Sequence, residues 1–211
     1  FGTYLTDEES GWGNRINLDG EGSVEVRRLI RENLRHWFVD LHVDALRLDA
    51  VHALVDATRP HLLAELAQVA ADLSAHLRRP LTLIAESDLN DPLLIRPAEA
   101  GGYGIDAQWS DDFHHALHVA LTGEVQGYYA DFAPLSALAK VCERGFFHDG
   151  TYSSFRERDH GSPLDTDTVP GWRLVAYTSD HDQVGNRARG DRPTEALDDD
   201  QLACAALVAF T

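Results

Sequence analysis

The sequence predicts an α/β fold built on a parallel sheet, and three observations carry that reading. Strand-like and helix-like stretches alternate along the chain. The strand-like stretches are short, continuous apolar runs, as in a sheet covered on both faces. Just beyond three of them stand acidic residues, Asp49, Glu86 and Asp182.

Composition sets the outer bounds. The 211 residues, 44% apolar and 9% aromatic, suit a soluble globular domain. The net charge of −17, from 18 basic and 35 acidic residues, would repel nucleic acid and anionic membrane, so neither is expected as a partner. No apolar run reaches the roughly 18 residues of a membrane span, and Leu202–Phe210 reads as a buried helix at most. No signal peptide is expected at Phe1. Cys142 and Cys204 are isolated and lack metal-ligand spacing, so they read as reduced, buried thiols of a cytoplasmic protein.

The elements run in order. Residues 1–22 carry five glycines and little periodicity, which predicts loop. From Ser23, a plausible N-cap, Val26, Leu29, Ile30, Leu34, Trp37 and Phe38 recur at helical spacing to about Val39. A strand is expected at Val43–Leu48. Pro60 suits a first helical turn, and Leu62, Leu63, Leu66, Val69, Leu73 and Leu77 mark one face through Arg78. Leu81–Ala85 is a second strand, ending on Glu86, and the loop after it holds Asp88, Asn90 and Asp91. Gly101–Gly104 is a turn and Ile105–Trp109 a third strand. Helices are predicted over Asp111–Thr122 and Pro134–Glu143. Residues 144–171 lack periodicity and read as a long loop of the kind that forms lids or stays disordered. Arg173–Thr178 is a fourth strand leading into Asp180-His181-Asp182, and a last helix begins near Asp198.

In a (β/α)8 barrel the site is assembled at the carboxyl ends of several strands, where these acids fall. An open doubly wound sheet would usually show a Gly-rich phosphate turn after its first strand, and none is present. Four βα units are visible where a barrel has eight, and the length falls short of the usual ~250 residues. The expected fold class is therefore a partial (β/α)8 barrel, with residues 1–211 forming a fragment of one catalytic domain truncated at both ends.

Arg47 and Asp49 alternate with Leu46 and Leu48, so both charges project from one face of a short apolar strand. That placement is costly unless the charges are paired. A solvated edge strand would give the same local pattern, but the two further acids weigh against it. Hydrolysis of a glycosidic bond needs one carboxylate that stays ionised and one acid that stays protonated. Asp49 suits the first role because the Arg47 guanidinium favours the charged form. Glu86, closing an all-apolar strand, suits the second because desolvation favours the neutral acid. His181 and Asp182 could fix sugar hydroxyls by charge-assisted hydrogen bonds.

D-A-L-R-L-D-A-V-H (Asp44–His52), I-A-E-S-D (Ile84–Asp88) and S-D-H-D-Q-V-G-N-R (Ser179–Arg187) resemble three signature segments of the α-amylase superfamily, in that family's order. The resemblance implies Asp49 as nucleophile, Glu86 as general acid/base and Asp182 as the residue that binds and distorts the sugar ring. Arg47 and His181 match companion residues, and His52, Asp88, Asp91, Trp109 and Gln183 join them as candidate substrate contacts. Further segments, A-E-S-D-L-N-D-P (Ala85–Pro92), D-A-Q-W-S-D-D-F-H-H-A-L-H (Asp106–His118), T-G-E-V-Q-G-Y-Y-A-D-F (Thr122–Phe132) and W-G-N-R-I-N-L-D-G (Trp12–Gly20), are similar to a trehalose-releasing branch of that superfamily. They imply cleavage, with retention, of the α-1,4 bond next to the trehalose unit of a malto-oligosyl-trehalose, without a cofactor. A retaining pair predicts Asp49 and Glu86 carboxyls roughly 5–5.5 Å apart.

Three departures stand out. Ala45 replaces a usual Gly, Asp180 replaces a usual Asn, and the superfamily's earlier third-strand segment is missing. The chain would then hold barrel units four to seven, the remainder coming from the parent chain, and alone it would be inactive. A glucan-branching transglycosylase of the same superfamily, acting on related α-glucans, is the rival enzyme, but its fingerprint after the acid/base Glu differs from S-D-L-N-D-P. A non-catalytic carbohydrate-binding homologue would have no need of a proton donor such as Glu86. His114 and His118 share a helical face at i, i+4, yet no third ligand at metal spacing accompanies them, so no metal is expected.

Overall fold

The computed structural model describes residues 2–11 and 13–211, so Phe1 and Trp12, the first residue of the W-G-N-R segment, lie outside it. The chain divides into two compact units: Phe1–Asp88 with Pro92–Gln108, and Leu89–Asp91 with Trp109–Thr211.

The first unit begins where loop was expected. Strands β1 (Leu5–Ser10) and β2 (Gly13–Ile16) pair antiparallel as an exposed hairpin. L-T-D-E-E-S has no apolar alternation, because the pairing rests on backbone hydrogen bonds rather than a buried face. Helix α1 (Ser23–Arg35) continues through one π-helical turn, His36–Asp40. Ser23 is its first residue and not its cap; Gly22 takes that position at a φ of 79°. Helix α2 spans Leu62–Leu77. Pro60 precedes its cap rather than entering its first turn, and His61 caps it, Nδ1 accepting from the Leu63 N–H at 3.1 Å. Burial lowers the pKa of His61, which keeps the ring neutral and Nδ1 able to accept.

Three parallel strands form the unit's centre: β3 (Ala45–Leu48), β4 (Thr82–Ala85) and β5 (Ala107–Trp109). β3 and β4 run in strict register, Ala45 opposite Thr82 through Leu48 opposite Ala85. Leu83, Ala85, Ile95 and Ile105 are wholly buried, with Leu62, Leu63, Leu66, Ala70 and Leu73 of α2 also in the core. Arg27 ties α1 to α2 and the loop that leads into it: Nη1 donates to Asp56 at 2.7 Å and Nη2 to Glu65 at 2.7 Å.

In the second unit, α3 (Asp111–Thr122) matches its expected span and α4 (Leu135–Arg144) begins one residue late. Phe113, Ala116, Leu117, Val119, Tyr129, Phe132, Ala137 and Val141 form the core. The long loop contains a hairpin, β6 (Thr151–Ser153) against β7 (Arg158–His160), too short to show a sequence period. The fourth strand shrinks to β8 (Leu174–Val175), preceded by a 3-10 turn over Gly171–Arg173. Short helix α5 (His181–Gly185) and α6 (Asp199–Phe210) complete the unit. α6 is not the buried helix expected: only Ala205 is buried, while Leu207 is 64% and Phe210 90% exposed. Its apolar residues occur on every side, so one packed face leaves the rest in solvent. Cys142 and Cys204 are likewise exposed free thiols rather than buried ones, since each falls on the outer side of its helix.

No described helix is long and apolar enough to cross a membrane.

Candidate active site

The strict register of β3 and β4 makes Asp49 and Glu86 the next opposed positions beyond Leu48 and Ala85. Parallel strands in register place opposed side chains on one face. The strand ends are spliced by backbone: Glu86 N–H donates to Leu48 O at 2.8 Å, and Val51 N–H to Glu86 O at 3.1 Å. Between them Ala50 adopts a left-handed conformation, φ 45°, which non-glycine residues rarely occupy. That bend aims the Ala50 N–H at the carboxylate of Glu86, with N to Oε2 at 2.6 Å.

Arg47 reaches both acids. Its Nη1 bonds Asp49 Oδ1, and its Nη2 lies 4.0 Å from Glu86 Oε2. The two carboxylates differ in environment: the Asp49 side chain is 73% exposed and Glu86 only 16%. One acid meets solvent at the strand mouth while the other is enclosed and held by a backbone donor. His52, in the 3-10 turn after Asp49, points Nδ1 at Asp88 Oδ1, 3.9 Å away. The first unit therefore gathers Arg47, Asp49, His52, Glu86 and Asp88. After Asp88 and Asp91 the chain passes through turns to a 3-10 turn at Ala98–Ala100.

The second unit gathers Asp180, His181, Asp182 and Gln183. Asp182 sits in the first turn of α5, beyond the irregular stretch that leaves β8, rather than directly at a strand end. Asp180 accepts from the Asp182 N–H at 2.8 Å, and Gln183 Oε1 from the Asp180 N–H at 2.8 Å, a reciprocal capping box. The Asp180 departure is thus a cap, a role aspartate and asparagine fill equally well. His181 and Asp182 are exposed, with Nε2 3.5 Å from Oδ1. Asp91 and Trp109 are half-buried, and Trp109 meets Tyr177 edge-on at 4.8 Å.

His114 and His118 act as structural groups. His114 Nδ1 donates to Thr178 O at 2.8 Å, leaving Nε2 to accept from the Tyr129 hydroxyl at 2.9 Å. Burial pushes its pKa down to about 4, which keeps the imidazole neutral. Tyr129 belongs to the core.

Two residues of structural weight are not apparent from sequence. Asp112 is buried, and its Oδ2 accepts from Asn90 Nδ2 at 2.7 Å, Phe147 N–H at 2.7 Å and His148 N–H at 3.1 Å. Asn90 also donates to His148 O at 3.0 Å, from a left-handed φ of 52° that asparagine tolerates. The asparagine inside S-D-L-N-D-P was the available signal; nothing local marked Asp112.

No family model matches the chain. Curated relatives do. Malto-oligosyltrehalose trehalohydrolase from Arthrobacter ramosus is 60% identical over 211 residues, all of this chain and 36% of the relative. The protein of that name from Mycobacterium tuberculosis is 57% identical over 210 residues, again 100% of this chain and 36% of the relative. A crystal structure of a proposed alpha amylase from Salmonella typhimurium superposes with a TM-score of 0.79 at 33% identity, covering 92% of this chain and 33% of that one. The chain spans about a third of the length of the relatives it matches. Along its whole length the chain is similar to part of the malto-oligosyltrehalose trehalohydrolases, and its backbone to part of that alpha amylase.

Proposed function

We propose that the full-length protein hydrolyses the α-1,4-glucosidic bond next to the trehalose unit of a malto-oligosyl-trehalose, releasing trehalose with retention at the anomeric carbon. The observation that carries this reading is the in-register pair Asp49 and Glu86, reached by one guanidinium and unequal in exposure. A double-displacement route needs carboxyls roughly 5–5.5 Å apart, and that is the separation this reading requires of Asp49 and Glu86.

In this mechanism Asp49 attacks the anomeric carbon while Glu86 gives its proton to the leaving glycosidic oxygen. Glu86, now ionised, takes a proton from water, and the resulting hydroxide displaces Asp49 from the glycosyl ester. Asp182 binds and distorts the ring at the cleavage point. Arg47 holds Asp49 in line, and His52, Asp88, Asp91, Trp109, His181 and Gln183 contact the glucan. No cofactor enters these steps. The parallel strands followed by helices are read as units four to seven of a (β/α)8 barrel whose other units the full-length protein supplies. The charge of −17 supports a neutral glucan as the partner, rather than nucleic acid or membrane, and two free thiols support a cytoplasmic setting.

The test is product analysis of the full-length protein on maltotriosyl-trehalose and on maltoheptaose, with Asp49→Ala and Glu86→Gln as controls. Trehalose from the first substrate, little product from the second and losses of at least ~10²-fold in both variants are expected. Longer branched products would favour the branching rival. Activity surviving in Asp49→Ala would mean that the site is elsewhere.

A further inference from the structure

α5 is five residues long and would not hold a helical shape alone. Its N-terminal end is fixed by the Asp180–Gln183 capping box. Its other end is fixed by Arg187, five positions after Asp182. Arg187 Nη1 donates to Glu124 at 3.0 Å (Oε2) and 3.3 Å (Oε1), and Nε donates to Asp191 at 2.6 Å. Glu124 lies just past the C-terminus of α3, and its Oε2 meets His118 Nε2 at 2.8 Å. His118 is itself stacked on Tyr129 in the core, at 4.5 Å. The chain of contacts runs unbroken from the packed core through His118 and Glu124 to the residue that closes the Asp182 segment.

The surroundings make this a fitted junction rather than a surface ion pair. His118, Glu124, Tyr129, Gln183, Val184 and Arg187 line a cavity of about 30 Å³, enough for about one water. Burial works against the Glu124 carboxylate, but hydrogen bonds from His118 and Arg187 overcome it and hold its pKa below the usual range. Arginine suits the position because its planar fork engages two carboxylates at fixed angles, which a lysine ammonium does not. Two further contacts from α3 fix the approach to α5: Tyr177 donates to Asp111 at 2.7 Å, and His114 to Thr178 O.

We infer that Arg187, through Glu124 and His118, is a positioning residue that sets the place of Asp182 for the reaction. The inference rests on the proposed role of Asp182, and it concerns a residue that does not itself touch the substrate.

Steady-state kinetics of the full-length protein on maltotriosyl-trehalose test it. Arg187→Ala is expected to lower kcat about 10- to 100-fold, the scale of a small misplacement at a reacting centre, with KM within about threefold. Arg187→Lys recovers part of the loss, and the isosteric Glu124→Gln reproduces it in smaller degree while circular dichroism stays native. The deciding comparison is the double variant. In an Asp182→Asn background, Arg187→Ala should change the residual kcat by less than about threefold, because the residue it positions is already disabled. Kinetics of Arg187→Ala near wild type, or its full loss recurring on top of Asp182→Asn, overturns the proposal. If Asp182→Asn alone keeps wild-type activity, the site reading has failed and this inference falls with it. If Asp182→Asn is crippled while Arg187→Ala is not, the positioning claim alone has failed.

Discussion

Asp56 offers a measurement of how strongly the first unit is stitched together. Its side chain has no solvent exposure, and it accepts from Arg27 Nη1 at 2.7 Å, Thr58 N–H at 2.9 Å, Thr58 Oγ1 at 2.6 Å and Leu62 N–H at 2.6 Å. Burial opposes ionisation, yet these donors bring its pKa from 3.8 down to about 2. At about 1.4 kcal/mol per unit, the shift amounts to about 2 kcal/mol of stability in the neutral range. The folded pKa is the lower one, so the contribution is complete well above pH 3.8 and drains away as pH falls through 3.8 towards 2. Asp56→Asn removes the charge and sets an amide against Arg27, which should cost about 3 kcal/mol, as for other broken buried pairs. Urea unfolding of wild type and variant at pH 6 and pH 3 is the assay. The gap between them should narrow by about 1 kcal/mol at pH 3. A gap that stays constant or widens on acidification, or a variant as stable as wild type at pH 6, would refute the reasoning.

Two other perturbations have defined outcomes. Asp112→Ala strips the acceptor from the Asn90 side chain and from the backbone N–H groups of Phe147 and His148. Each buried donor left unpaired costs about 1–3 kcal/mol, so hydrogen exchange across residues 144–150 should accelerate, and unchanged protection there would contradict the hub role. The 211-residue chain expressed alone should release no trehalose, because the superfamily's third-strand segment has no counterpart in it; measurable turnover by that chain would sink the assignment of the missing groups.

The parts legible in the sequence are those where one physical signal dominates. α3 was readable to the residue because an acidic start, a regular apolar face and Gly123 at a φ of 72° all agree. The position of Asp49 and Glu86 at the ends of β3 and β4 was readable because each acid closes a short apolar run. The hairpins at 5–16 and 151–160 were not, because exposed strands owe their pairing to backbone groups common to every residue. The caps at Gly22 and His61 escaped because a cap depends on local backbone angles, and Ser23 and Pro60 merely stand beside the right positions. Arg187 and Glu124 were visible as letters, but their pairing across 63 positions is a tertiary fact. The exposure of Cys142 turns on which side of α4 faces the core, and that is decided by packing rather than composition.

The left-handed turn at Ala50 has an experimental consequence. The group that grips the Glu86 carboxylate is a main-chain amide, so it survives every side-chain replacement at position 50 that preserves the bend. Alanine scanning would pass over it, and the native residue is already alanine. Substitutions there would be sorted by backbone tolerance instead: glycine and asparagine accept a φ of 45°, whereas valine and isoleucine resist it and proline both forbids it and deletes the donor. A mutational map of this protein would thus show a position where chemical similarity predicts little and conformational freedom predicts much.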